Sequence, residues 1–168
     1  MTWKTPRNWA IGDAVTRARL NAISDSLAAL KDPPSDEYLV PAVDIAISST
    51  SLVDIDSAGG LLITTYGGDL LIGLNFSTTT SVASVQVTYD ILLNNLTYLS
   101  SRTATARANG VFYVTTAVTT DKQYINAVLR WPGLAAGTYS VMPQVKVNTG
   151  SVTFKATNTG AYWWVRED

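Results

Sequence analysis

From Tyr38 onward the chain alternates apolar and polar positions in short runs rich in Val, Ile, Thr, Tyr and Leu. Leu70, Ile72, Leu74 and Phe76 recur at every second residue, as do Val85, Val87, Tyr89 and Ile91. Tyr139, Val141, Pro143, Val145 and Val147 repeat the pattern near the C-terminus. Period two puts alternate side chains on opposite faces of a strand, so each run predicts a strand with one buried face. Candidate strands cover 39–48, 52–56, 61–66, 69–77, 84–93, 96–100, 111–118, 123–131, 138–147, 151–156 and 161–166. Turn pairs separate them: Gly59-Gly60, Gly67-Gly68, Asn94-Asn95, Asn109-Gly110 and Thr149-Gly150. Many short strands with no βαβ spacing predict a mainly β, antiparallel sandwich of jelly-roll type. Pro143 inside a run predicts an edge or a bulge, because proline has no amide to give to a ladder.

The period changes before Tyr38. Leu20, Ile23, Leu27 and Leu30 fall at spacings of three, four and three, the seam of a short coiled-coil helix over residues 16–31. Thr16 suits its N-cap, and Pro33 and Pro34 stop it because neither can donate a backbone hydrogen bond. Such a helix is roughly 24 Å long and marginal alone in water, so it must pack on its own β-domain or on copies of itself. Ahead of it, residues 1–15 form an arm with two tryptophans and no clear periodicity. Trp3, Pro6 and Trp9 bury poorly on so short a segment and are the candidate docking residues. The polar stretch 32–37 reads as a stiff linker. The expected organisation is therefore residues 1–37 for attachment and oligomerisation, and residues 38–168 for a β-sandwich head.

Charge narrows the function classes. Charged residues make up only 15% of the 168-residue chain against 46% hydrophobic, and net charge is −1. The first 37 residues concentrate the charge, with basic Lys4, Arg7, Arg17, Arg19 and Lys31 balanced by Asp13, Asp25, Asp32, Asp36 and Glu37. A Ser/Thr/Asn-coated domain so poor in charge suits a surface covered by copies of itself, and a homotrimer is expected. No basic patch exists to hold several phosphates, so nucleic-acid binding is not expected. No run reaches the ~18 apolar residues of a membrane span, and no secretory signal pattern opens the chain. Histidine and cysteine are both absent, which removes the commonest general base, the commonest zinc ligand and thiolate chemistry.

The remaining chemistry would have to come from carboxylates or aromatics. Asp54 and Asp56, two apart on a predicted strand, would share a face, but six to eight calcium ligands need more than that pair. Asp44, Asp54, Asp56 and Asp90 could converge in three dimensions as a glycosidase pair, but no enzyme activity, metal or cofactor is expected. Asp69 and Asp121 belong to turns, where aspartate bonds its own backbone. Trp131, Tyr162, Trp163 and Trp164 are core residues or a sugar platform. The run 161–166 is apolar on both faces, which favours core. The small and charged stretch Ser101 to Gly110 is the candidate recognition loop, through Arg102, Thr103, Thr105, Arg107 and Asn109.

The opening residues Trp3-Lys4-Thr5-Pro6-Arg7-Asn8-Trp9, then Ile11-Gly12-Asp13-Ala14-Val15-Thr16 and Leu20-Asn21, resemble the N-terminal signature of small bacteriophage virion proteins. That pattern is roughly W-x-T-P-x-x-W-x-x-G-[DE]-x-V-T-x-x-x-[LM]-N, leading into a short helix and a proline break. Gly67-Gly68-Asp69, Leu134-Ala135-Ala136-Gly137-Thr138-Tyr139 and Trp164-Val165-Arg166-Glu167 resemble the β-rich part of such proteins. In the helix, Ile23-Ser24-Asp25-Ser26-Leu27 keeps the aspartate and leucine of the pattern but lacks its arginine. The resemblance implies a virion structural component, assembled in the host cytoplasm and carried on the particle surface. Its partners would be other virion proteins through the arm and, for a tail fibre or spike, a host-surface glycan. A capsid decoration protein and a free carbohydrate-binding module or carboxylate-only glycosidase are the competing expectations.

Overall fold

The computed structural model describes residues 20, 21, 24, 33–40, 43–101, 110–117, 122–155 and 161–168. Among the described residues twelve antiparallel strands make two facing sheets. The front sheet contains β1 (Ser35–Leu39), β2 (Ile45–Ile47), β5 (Gly68–Thr80), β9 (Gln123–Leu134), β11 (Val152–Phe154) and β12 (Tyr162–Glu167). The back sheet contains β3 (Val53–Asp54), β4 (Leu61–Thr65), β6 (Gln86–Leu93), β7 (Thr97–Tyr98), β8 (Phe112–Thr115) and β10 (Gly137–Val147). Several short strands share one long partner in tandem: β11 and β12 both lie along β5, and β3 and β4 both lie along β10. Each layer is then four strands wide. The pairing is nested, with β1 and β2 against the last strands, β3 and β4 against β10, β5 against β9, and β6 against β7 and β8. That winding is a jelly roll, as the alternation predicts.

The alternation also places the core. Leu70, Ile72, Leu74 and Phe76 of β5 face Val87, Tyr89 and Ile91 of β6 and Val141, Val145 and Val147 of β10, all of them buried. Phe76 meets Phe154 edge-on at 5.1 Å, and Tyr89 stacks on Phe112 at 4.8 Å. Turn chemistry behaves as the pairs predict at Asn94 and Asn95, whose φ angles of 51° and 56° make the tight turn between β6 and β7. The Leu96 amide closes that turn on the Leu93 carbonyl at 3.0 Å.

Local differences from the sequence reading have physical causes. Ser35–Glu37, expected as linker, is strand: β1 pairs with β12 from Ser35↔Arg166 to Leu39↔Tyr162. An edge strand tolerates polar side chains, so polarity there does not mark a loop. The expected run 39–48 is broken, with β1 ending at Leu39 and β2 starting at Ile45. The expected strand 96–100 shortens to β7, because Leu99–Ser101 turn into a 3₁₀ helix. Pro143 lies on an inner strand between Ile91 of β6 and the junction where β4 stops and β3 begins. Its carbonyl accepts from the Ile55 amide at 3.1 Å, so its missing N–H points into that junction and breaks no ladder bond.

Candidate functional site

Of the sequence-derived site residues, Leu20 lies in helical backbone and is 55% exposed. The arm residues Trp3, Pro6 and Trp9, the seam residues Ile23, Leu27 and Leu30, and the loop residues Arg102, Thr103, Thr105, Arg107 and Asn109 lie outside the described residues. So does Asp121.

The carboxylates are engaged in different places. Asp44 pairs with Lys155 at 2.6 Å. Strand β3 stops at Asp54, so Asp54 and Asp56 do not share a strand face as expected. The Asp54 carboxylate accepts from Gln144 Nε2 at 2.7 Å, and Asp56 accepts from the Tyr38 hydroxyl at 2.7 Å and the Ala58 amide at 3.0 Å. Burial, and then the Asp56 carboxylate, push the Tyr38 phenol up to about 12. Register sets Asp54, Gln144 and Asp90 in one row across β3, β10 and β6. Asp90 is only 1% exposed. Its oxygens accept from the Ile91 amide at 2.8 Å, the Ser100 amide at 3.2 Å and the Ser100 hydroxyl. Burial raises its pKa, and these donors work against that rise without cancelling it. Asp90 thus grips the 3₁₀ turn, while Gln144, between the two acids, bonds Asp54 and accepts from the Tyr98 hydroxyl at 3.0 Å. Asp69 does not bond its own turn; it accepts from the Gly133 amide at 2.7 Å across the β5–β9 corner and pairs with Arg130. Among the described residues no cluster of three or more metal-ligating side chains is assembled.

The outer face of the front sheet carries the aromatic chemistry. Alternation along β12 turns Trp163 and Val165 inward and Tyr162, Trp164 and Arg166 outward. Trp163 and Trp131 are fully buried, but Trp164 and Tyr162 stay partly exposed, which corrects the expectation that the strand is buried on both faces. Across the sheet, Glu37, Trp164, Gly73 and Val128 form one row. The Trp164 indole lies over Gly73, where an added Cβ would stand 2.1 Å from its Cε2. Glycine is thus required for the indole to lie against the sheet. The Arg166 guanidinium sits 5.5 Å from the indole centroid, a cation–π contact. Beside them a groove of about 490 Å³ is lined by Ser35, Asp36, Glu37, Trp164, Val165 and Arg166. An indole lying against Gly73 with the Arg166 guanidinium over it, beside carboxylates and a hydroxyl, can offer a sugar an apolar edge and partners for its hydroxyls. Sequence reasoning named Trp164 but missed Glu37 and Gly73; a small residue midway along an apolar run was the available signal.

The same face exposes Leu39 (68%), Tyr124 (67%) and Val128 (58%). The last two belong to β9, which ends the front sheet and pairs only with β5 among the described residues.

No family model matches the chain, and no curated protein does. Among solved structures it is similar to the Eiger TNF of S. frugiperda, at 9% identity, covering 81% of this chain and 93% of that one with a TM-score of 0.49. It is also similar to a carbohydrate-binding module of the Cellvibrio mixtus lichenase 5A, solved with cellotriose. That match has 11% identity, 80% and 87% coverage, and a TM-score of 0.34. A third is a chain of infectious bursal disease virus, Gt strain, at 16% identity, 80% and 41% coverage, and a TM-score of 0.32.

Proposed function

We propose that this chain is a non-enzymatic structural protein of a bacteriophage virion, a short homotrimeric fibre or spike. In this reading the arm with Trp3, Pro6 and Trp9 attaches it to the particle. The helix seam Leu20, Ile23, Leu27 and Leu30 holds the copies together, and the jelly-roll head projects outward. The virion assignment is supported by the N-terminal signature. The observation that carries self-association is the apolar outer face of the front sheet, where Leu39, Tyr124 and Val128 stand exposed on a domain poor in charge. Water solvates such a face poorly, and contact with further copies removes it from water. Sedimentation equilibrium of the purified chain is expected to give a trimer or a whole multiple of one; a monomer at micromolar concentration overturns the assembly. Labelling the protein on intact particles and imaging them tests the location, with density on the tail expected for a fibre and density on the head lattice overturning it.

The groove beside Trp164 supports a receptor role for the head, with a host-surface glycan as ligand. Binding of the full chain to an oligosaccharide array, lost in Trp164→Ala, is the expected result. An array with no bound sugar removes the receptor role.

A further inference from the structure

We propose that β9 is an assembly edge, and that two copies of the chain join by pairing their β9 strands antiparallel, extending the front sheets into one layer. Strand β9 is 12 residues long and ends the sheet. Alternate residues of an edge strand aim their N–H and C=O groups away from the sheet, where no strand among the described residues pairs with them. Proteins blunt such edges with lysines, inward charges, bulges or short strands. Here, from Gln123 to Trp131, no bulge interrupts the pairing with β5 and the lone charge is Arg130, which is tied to Asp69. Tyr124 and Val128 stand outward on the same segment. Only the last residues are blunted, by Pro132, which has no amide, and by Gly133 at a φ of 62°.

The occupant of this edge must be an extended strand of matching length that brings no like charge. The other edges fail on length: β1 and β4 have 5 residues each, β8 has 4, and β2, β3 and β7 have 3, 2 and 2. The longest free edge that the described residues offer to β9 is β9 of a second copy. An antiparallel register centred on Ala127 keeps every side chain on its own face, because paired positions then differ by an even number. It sets Asn126 opposite Val128 and Tyr124 opposite Arg130, a cation beside an aromatic ring rather than beside another cation. The contact is isologous and closes on itself. It is separate from the helix seam, so it links copies whether or not that seam makes trimers.

The chain has no cysteine, so introduced thiols report without background. Full-length Asn126→Cys and Val128→Cys chains, mixed under mild oxidation, are expected to form a disulfide-linked dimer that neither forms alone. In the Leu27→Asp background, where the helix seam is broken, Val128→Lys, an exposed change checked for folding by circular dichroism, is expected to halve the sedimented mass from an edge-paired dimer to a monomer. Absence of the mixed product, equal product from either chain alone, or an unchanged mass with Val128→Lys overturns the proposal. Leu27→Asp addresses the helix seam and is expected to leave the mixed cross-link intact; its loss there also overturns an independent edge contact.

Discussion

The Trp163 indole N–H donates to the Gly59 carbonyl at 2.7 Å, and the ring fills the space where any Gly59 side chain would begin. A Cβ at Gly59 would stand 2.1 Å from the indole Cζ2. On its other side the ring packs on Tyr38 at 4.9 Å, whose hydroxyl binds Asp56. One buried side chain thus holds the β3–β4 turn against the C-terminal strand and the first strand.

Gly59→Ala is therefore expected to destabilise the head by about 1–3 kcal/mol, as overpacking of a filled core does. Thermal or denaturant unfolding measures it. An unchanged midpoint would mean that the turn moves freely away from Trp163.

Trp163→Ala and Trp164→Ala separate the two faces of β12. Removing the buried Trp163 ring is expected to cost about 3–5 kcal/mol, enough to prevent folding of a marginal domain. Trp164 rests partly exposed on Gly73, so its removal is expected to cost markedly less while abolishing any glycan binding. Equal losses of melting temperature in the two variants would place Trp164 with the core.

Ionisation of Asp90 works against the fold. Its pKa is raised in the folded state, so the folded form holds the proton more tightly than the unfolded form. Its stabilising contribution is complete below the ordinary carboxylate range and is lost as pH rises from there through the raised value. Asp90→Asn keeps an oxygen for the Ile91 and Ser100 amides and carries no charge. It is expected to melt higher than the parent at pH 7 and to lose that advantage in acid. Asp90→Ala strands the Ser100 donors and is expected to cost about 1–3 kcal/mol. Melting curves of both variants from pH 3 to pH 8 check the pair of signs.

Asp69 behaves in the opposite sense. The Gly133 amide, and then the Arg130 guanidinium, hold its carboxyl below the usual range. Its contribution is present above the ordinary carboxylate value and is lost as pH falls through its lowered folded value. Asp69→Asn is expected to lower stability at neutral pH and to flatten the acid limb of the melting profile. A parallel acid limb in parent and variant would show that the Gly133 bond carries no charge dependence.

Catalysis is expected to be absent. Asp54 and Asp90 share a row, yet Gln144 stands between them, bonded to Asp54 and to the Tyr98 hydroxyl, and Asp90 is sealed under the Ser100 turn. Incubation with host-type polysaccharides should release no new reducing ends; turnover abolished by Asp54→Asn or Asp90→Asn would reverse the reading.

The period-two runs were sufficient to place Leu70, Ile72, Leu74 and Phe76 in one buried line and to end β6 at Asn94-Asn95. These are local properties: side chains alternate on any strand, and two adjacent positive φ angles favour asparagine or glycine wherever they occur. Alternation also separated Trp163 from Trp164, but it could not say which of them faces inward. That was decided by contacts with Gly59 and Gly73, which lie some 90 to 100 residues away along the chain. The Asp54–Gln144–Asp90 row, the Asp69–Gly133 bond and the open edge of β9 have the same origin. Each depends on which strands become neighbours, and that is settled when distant apolar faces bury one another. An aspartate within the apolar run of β6, or a glycine within that of β5, marks a position with a required partner. The partner itself, Ser100 or Trp164, exists only in the folded chain.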